Sequence, residues 1–194
     1  MIILENAKNY ALYNRELPTW IHSELMDWAQ EDFDFDCKIT AATDLNFSII
    51  TKGRSISCFS WIKQDLSQLI NNFKELTQYN LIRFNFNVLK SNQCSKFHVD
   101  YVRCRLITTY LGPGTEYLLD DNVNRKAFEN LKESPEEANR EIIINPNLIE
   151  RATNNQILLM KGKHSNCLGL VHRSPPIENQ KLTRIVLSLT TVDK

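Results

Sequence analysis

The segment Phe97-His98-Val99-Asp100 carries the groups best suited to chemistry. Read as part of a β run from Phe97 to Tyr110, it points His98 and Asp100 to one face. A third donor is His172, at the end of the apolar run Leu168-Gly169-Leu170-Val171. Two histidines and a carboxylate are the inventory of a facial triad. Such a triad suits non-haem Fe(II), because three protein donors on one side leave the other side open for substrate and dioxygen. Neutral imidazole and ionised carboxylate, the forms that bind metal, both exist at pH 7. An H-x-D step alone is weak, since a His beside an Asp is often a simple hydrogen-bonded pair. The late His172 strengthens it.

Arg184 strengthens it further. It lies twelve residues after His172, against the apolar strand residues Ile185-Val186-Leu187. A guanidinium at an apolar wall needs a partner, because an unpaired buried charge is costly. Asp and Glu are absent from residues 179–192, so the neighbouring chain offers none. A ligand carboxylate held by two parallel hydrogen bonds would serve.

The order His98-x-Asp100, His172, Arg184 resembles the Fe(II)/2-oxoglutarate-dependent oxygenases. The stretch His98-Val99-Asp100, Arg103-Cys104, Thr108-Thr109-Tyr110-Leu111 resembles that of prolyl hydroxylases. The resemblance implies a mostly β chain with N-terminal helices, folded as a double-stranded β-helix (jelly roll, cupin-like). It also implies Fe(II) on His98, Asp100 and His172, with 2-oxoglutarate reaching Arg184 and Tyr110. Arg105 and Arg173 are further candidates for holding an acidic co-substrate. The blocks around Phe97-His98-Val99-Asp100-Tyr101, Gly112-Pro113-Gly114-Thr115-Glu116 and His172-Arg173-Ser174-Pro175-Pro176 resemble a bacterial family of unknown function, number eighteen twenty-six in its catalogue.

The alternative is a metal-handling protein without turnover, holding zinc or iron. Zinc takes four ligands, and Cys104 or His164 would close the site. A cupin-like isomerase or small-ligand module is a third possibility. Cys94 and Cys104 flank the H-x-D step and are ligand types for a softer metal such as zinc, or else ordinary small apolar thiols, the reading that also suits Cys167. His22 reads as surface on a helix, Thr115 and Glu116 as a cavity mouth or loop-backbone partners, and Asp120-Asp121 as a solvated acidic step.

The elements that must position these groups follow from periodicity. Leu17, Trp20, Ile21, Leu25 and Trp28 form one helical stripe. Ile62, Leu66, Leu69, Ile70, Phe73 and Leu76 form another, with Ser60 as its cap. From Leu81 to Val88 the even positions are apolar, which is a strand with one buried face. Further strand signals lie at Tyr117–Leu119, Glu141–Ile144, Gln156–Met160, Leu168–His172 and Thr183–Thr191, and two short helices at Asn124–Leu131 and Pro135–Arg140. We expect one domain over 1–194: a helical support at 1–80 and a β core at 81–194 with a helical insert near 120–140.

Composition narrows the classes. The 194 residues carry 23 basic and 23 acidic side chains, a balance with no footprint for nucleic acid or an anionic membrane. The substrate, whether small molecule or protein, is not specified by the sequence. No apolar run reaches the ~20 residues of a membrane span, and Met1–Asn6 lacks a signal-peptide pattern. Five cysteines without a C-x-x-C argue for free thiols and a cytoplasmic location.

Overall fold

A computed structural model of the chain describes residues 8–129, 134–154, 156–163 and 167–193. The start at Met1–Asn6, the predicted helix end at Leu131 and the candidate ligand His164 lie outside the described residues.

The strands are β1 (Tyr10–Asn14), β2 (Asp34–Ile39), β3 (Ile82–Leu89), β4 (Cys104–Leu111), β5 (Glu116–Leu118), β6 (Glu150–Arg151), β7 (Gln156–Lys161), β8 (Val171–Arg173) and β9 (Arg184–Thr191). They form a six-stranded sheet in the order β1-β7-β4-β9-β3-β2 and a three-stranded sheet in the order β6-β5-β8. All pairings are antiparallel. The expected double-stranded β-helix is therefore corrected to two open sheets. Each ends in edge strands, β1 and β2 on the large sheet and β6 and β8 on the small one, and neither curls shut. The physical reason is that β5, β6 and β8 are only two or three residues long, too short to carry a continuous ladder around a barrel.

The helices are α1 (Ile21–Trp28), α2 (Phe47–Ile50), α3 (Ile56–Thr77), α4 (Arg125–Phe128) and α5 (Pro135–Ile142). α3 carries the predicted apolar stripe, buried along Ile62, Leu66, Leu69, Ile70 and Phe73. It starts earlier than expected: Ser55, not Ser60, caps it, accepting from the Cys58 amide at 3.1 Å. Trp20 leaves the predicted stripe of α1 and is exposed, while Ile21, Leu25 and Trp28 are buried. Both stripes pack with Ile82, Phe84 and Phe86 of β3, Leu106 of β4 and Leu187 of β9 on one face of the large sheet. Each such side chain contributes about 1.5–3 kcal/mol of burial. The opposite face meets the small sheet, where Tyr117 of β5 packs with Leu158 and Met160 of β7.

Two strands of the expected helical third were not foreseen. β1 and β2 pair with β7 and β3 and edge the large sheet. Glu141–Ile144 is not a strand: α5 runs to Ile142, with Ala138 and Ile142 buried and Ser134 accepting from the Glu137 amide. A capped helix with Pro135 in its first turn outweighs the β preference of the isoleucines.

Candidate metal centre

The segment bearing His98 and Asp100 is not a strand. It is a loop stitched to β8 by one bridge, between His98 and His172. Its alternation survives because Phe97 and Val99 are buried in a small apolar cluster with Leu118, Ala138, Ile142 and Val171. His98 and Asp100 therefore turn the other way. Asn139 of α5 clamps the loop: its Oδ1 accepts from the Phe97 amide at 2.8 Å and its Nδ2 donates to the Ser95 carbonyl at 2.9 Å. Beyond Asp100 the Lys163 amide donates to the Asp100 carbonyl at 2.7 Å. A Cβ on Gly162 would collide with the Val102 carbonyl oxygen, so only glycine lets β7's end approach this loop.

His98, Asp100 and His172 each offer a donor atom, all within 4.8 Å of one another. His98 Nε2 is 3.6 Å from Asp100 Oδ1, and His172 Nε2 is 3.4 Å from Asp100 Oδ2. An ion about 2.1 Å from each donor needs donors roughly 3–3.5 Å apart, so these separations fit a divalent metal. The imidazoles are pre-set for it. His98 Nδ1 donates to the Lys96 carbonyl at 2.8 Å and His172 Nδ1 to the Leu170 carbonyl at 3.0 Å. Those bonds fix the tautomer and leave both Nε2 lone pairs for the centre. In the metal-free protein burial disfavours the Asp100 carboxylate, but the bonds from His172 and His98 when their rings are protonated, together with the charge of Arg105, outweigh it and hold the carboxyl well below its usual range. The His172 and Asp100 side chains are 4% and 12% exposed and His98 31%, so access is from the His98 side.

Arg184 is buried at the start of β9. Among the described residues its guanidinium donates only to hydroxyls: Ser174 at 3.3 Å, Thr109 at 3.3 Å and Thr115 at 3.4 Å. Its Nε has no hydrogen-bond partner among the described residues. Burial pushes it down to about 10, with Glu116 opposing that shift. Glu116 itself is bonded to Arg151 and, at 2.7 Å, to Arg173 Nε. Gly112, at φ +83°, lets the turn after β4 tuck against the start of β9, since a Cβ there would collide with the Thr183 carbonyl oxygen and lie 3.1 Å from Arg184 Cγ.

Residues 2–190 match a family model described as a protein of unknown function, DUF1826. The chain belongs to the DUF1826 family. No curated protein matches it significantly. Among solved structures this DUF1826 chain is similar to a Pseudomonas putida prolyl-4-hydroxylase, with 10% identity, a TM-score of 0.45, and coverage of 100% of this chain and 98% of that one. It is also similar to a full-length Neurospora crassa protein in complex with alpha-KG, with 11% identity and a TM-score of 0.42. That match covers 94% of this chain and 63% of the other.

The remaining candidates of the DUF1826 chain separate. Tyr110 lies away from Arg184, in the core between the large sheet and α3. Its hydroxyl donates to Asp65, and Arg15 stacks over its ring at 4.4 Å. Bends at Tyr101–Arg103 break the parity that linked it to His98, so even-numbered Cys104, Leu106 and Tyr110 face the helices. A register shift then follows at Thr109/Leu111. Odd-numbered Arg105 and Thr109 face the site instead. Arg105 Nη1 is 2.9 Å from Asp100 Oδ2. Arg173 is committed to Glu116 and to the face of Phe97, 4.5 Å from its centroid. Cys104 is buried on the helix side, where desolvation pushes its thiol up to about 12, and does not join the donor group. Cys94 is exposed, Cys167 is half-buried, and all five thiols are free. His22 is exposed on α1. Asp120 and Asp121 are exposed, and Asp120 pairs with Arg125. Among the described residues no helix is long and apolar enough to cross a membrane.

Sequence reasoning missed Asn139, Ser174 and Thr109. Asn139 left a signal, a polar residue inside the buried Ala138-Ile142 stripe of a helix. The other two left none, because short hydroxyl residues are ordinary in strands.

Proposed function

We propose that this chain is an Fe(II)/2-oxoglutarate-dependent oxygenase. The observation that carries the reading is Arg184, a buried guanidinium whose hydrogen bonds among the described residues go to hydroxyls, one of them on Ser174, two residues after the triad's His172. His172 lies on β8 and Ser174 just past its end, about 7 Å further along an extended chain. Arg184 would hold the far carboxylate of a short 2-oxo dicarboxylate, and the triad would hold the metal that takes its keto-acid end. Ser174, Thr109 and Thr115 orient the guanidinium for that task and supply further hydrogen-bonding groups. The Arg184–carboxylate pair removes the cost of the buried charge.

Iron held by His98, Asp100 and His172 would supply dioxygen activation coupled to oxidative decarboxylation of the co-substrate, ending in hydroxylation of a substrate. The chain's own groups do the rest. Asp100 supplies negative charge, the two Nδ1–H bonds keep both Nε2 atoms aimed inward, and Phe97 and Val99 form the dry wall behind the loop. The test is calorimetry of 2-oxoglutarate binding under nitrogen, with Fe(II) or an inert substitute metal loaded, followed by 2-oxoglutarate turnover in air. Binding that requires the metal and is lost in Arg184→Gln supports the reading. No binding at millimolar co-substrate ends it and leaves metal handling in its place.

A further inference from the structure

We propose that Arg105 is a built-in cation that competes with the metal for Asp100 and so keeps the centre weakly loaded and exchangeable. The inference rests on the metal reading above. Arg105 projects from β4 with Nη1 2.9 Å from Asp100 Oδ2, and its Nε donates to Thr190 Oγ1 at 2.9 Å. Thr190 on β9 thus pins the guanidinium against the carboxylate. The contact is an ion pair and not an aligned hydrogen bond, because Oδ2 is buried and keeps an unfilled lone pair. That same oxygen faces His172 Nε2 at 3.4 Å. Guanidinium and metal therefore address the same carboxylate, whose other oxygen, Oδ1, faces His98 Nε2 at 3.6 Å.

The charge count sharpens this. With both imidazoles neutral, the three donors carry one negative charge, and Arg105 cancels it. An incoming dication meets a neutral site. Removing Arg105 has two opposed effects. Asp100 loses a contact that orients it, which weakens metal binding. The ion loses a neighbouring positive charge, which strengthens it. Repulsion between a dication and a guanidinium sharing one carboxylate amounts to roughly tenfold or more in affinity even with the screening of bulk water. The orienting loss is smaller, because the Lys163 amide and the buried Phe97 and Val99 already hold the loop. The charge effect wins.

The experiment is calorimetric titration of Zn(II) into the metal-free full chain, comparing wild type with Arg105→Gln, Arg105→Met and Arg105→Lys. The Gln and Met variants are expected to bind one equivalent at least tenfold more tightly, and Lys to stay within a few-fold of wild type. Structural damage cannot imitate this result, because it would loosen binding. Two neutral variants keep the test decisive if one melts without cooperativity. Wild type that binds, with neutral variants equal or weaker, overturns the role of Arg105 alone. A wild type and variants that all fail to bind zinc overturn both this inference and the metal reading.

Discussion

His98 and His172 exchange both of their backbone hydrogen bonds, amide to carbonyl, at 3.0 and 2.9 Å. They form one antiparallel hydrogen-bonded pair, a geometry that sets facing residues about 5.5 Å apart with side chains on the same side. Their rings accordingly lie 4.6 Å apart, centroid to centroid. A loop residue and a strand residue far apart in the chain are thereby presented to one point, and Asp100 follows two residues on.

The pairing predicts that all three side chains are needed to retain one metal ion. Each of His98→Ala, Asp100→Ala and His172→Ala should lower divalent-metal affinity by about a hundredfold, as one of three ligands is lost. Metal content after gel filtration checks this. Wild-type occupancy in both histidine variants would show that the cluster is not the site.

Arg184→Met is expected to separate stability from function. Among the described residues no carboxylate pairs with its buried guanidinium, so replacing it with an apolar side chain of similar length should stabilise the ligand-free protein by about 1–2 kcal/mol. The pH sign agrees. Its folded pKa, near 10, lies below the ordinary 12.5, so folding is opposed while the group is charged, and the penalty is relieved as pH rises through about 10. Thermal melts should show the variant's advantage over wild type at pH 7 shrinking above pH 10. A variant less stable than wild type at pH 7 would mean that the hydroxyls fully compensate the charge.

Tyr110→Phe should cost stability and leave co-substrate binding alone. Its buried hydroxyl bonds Asp65, which also pairs with Arg15. Losing that bond should cost about 1–2 kcal/mol in denaturant unfolding. Calorimetry should give unchanged 2-oxoglutarate affinity. A tenfold loss of affinity would return Tyr110 to the co-substrate site.

Asn139→Ala removes both clamps on the loop before His98 and leaves the Phe97 amide buried and unbonded. We expect about 2 kcal/mol of destabilisation and weaker metal binding. Asn139→Asp keeps the acceptor for Phe97 and should recover part of the stability. Metal binding unchanged in the alanine variant would show that Phe97 and Val99 hold the loop by themselves.

The thiols should differ in reactivity. Burial pushes Cys58 up to about 11 and Cys104 to about 12, whereas Cys94 is exposed. Only the thiolate attacks, so at pH 8 an alkylating reagent should label Cys94 quickly and leave Cys58 and Cys104 protected until denaturant is added. Peptide mapping reads this directly, and rapid native labelling of Cys104 would place it outside the core.

The His98-x-Asp100 half of the donor cluster was legible along the chain because it is local. Phe97 and Val99 are apolar where His98 and Asp100 are not, and that alternation aims the donors whether the segment is a strand or a bridged loop. The helical stripe of α3 and the period-two pattern of β3 are local in the same sense. Phe35, Cys37 and Ile39 alternate too, so β2 was there to be read. The partners of the charged and phenolic groups were not. Parity holds only while the backbone stays extended, and the bends at Tyr101–Arg103 reset it, which sent Tyr110 to the helices and Arg105 to the site. Asp65 lies 45 residues from Tyr110 and Glu116 lies 57 from Arg173, separations over which composition and spacing carry no information about who meets whom. Those pairings, and the ending of both sheets in open edges, were decided only when the packed core brought distant segments together.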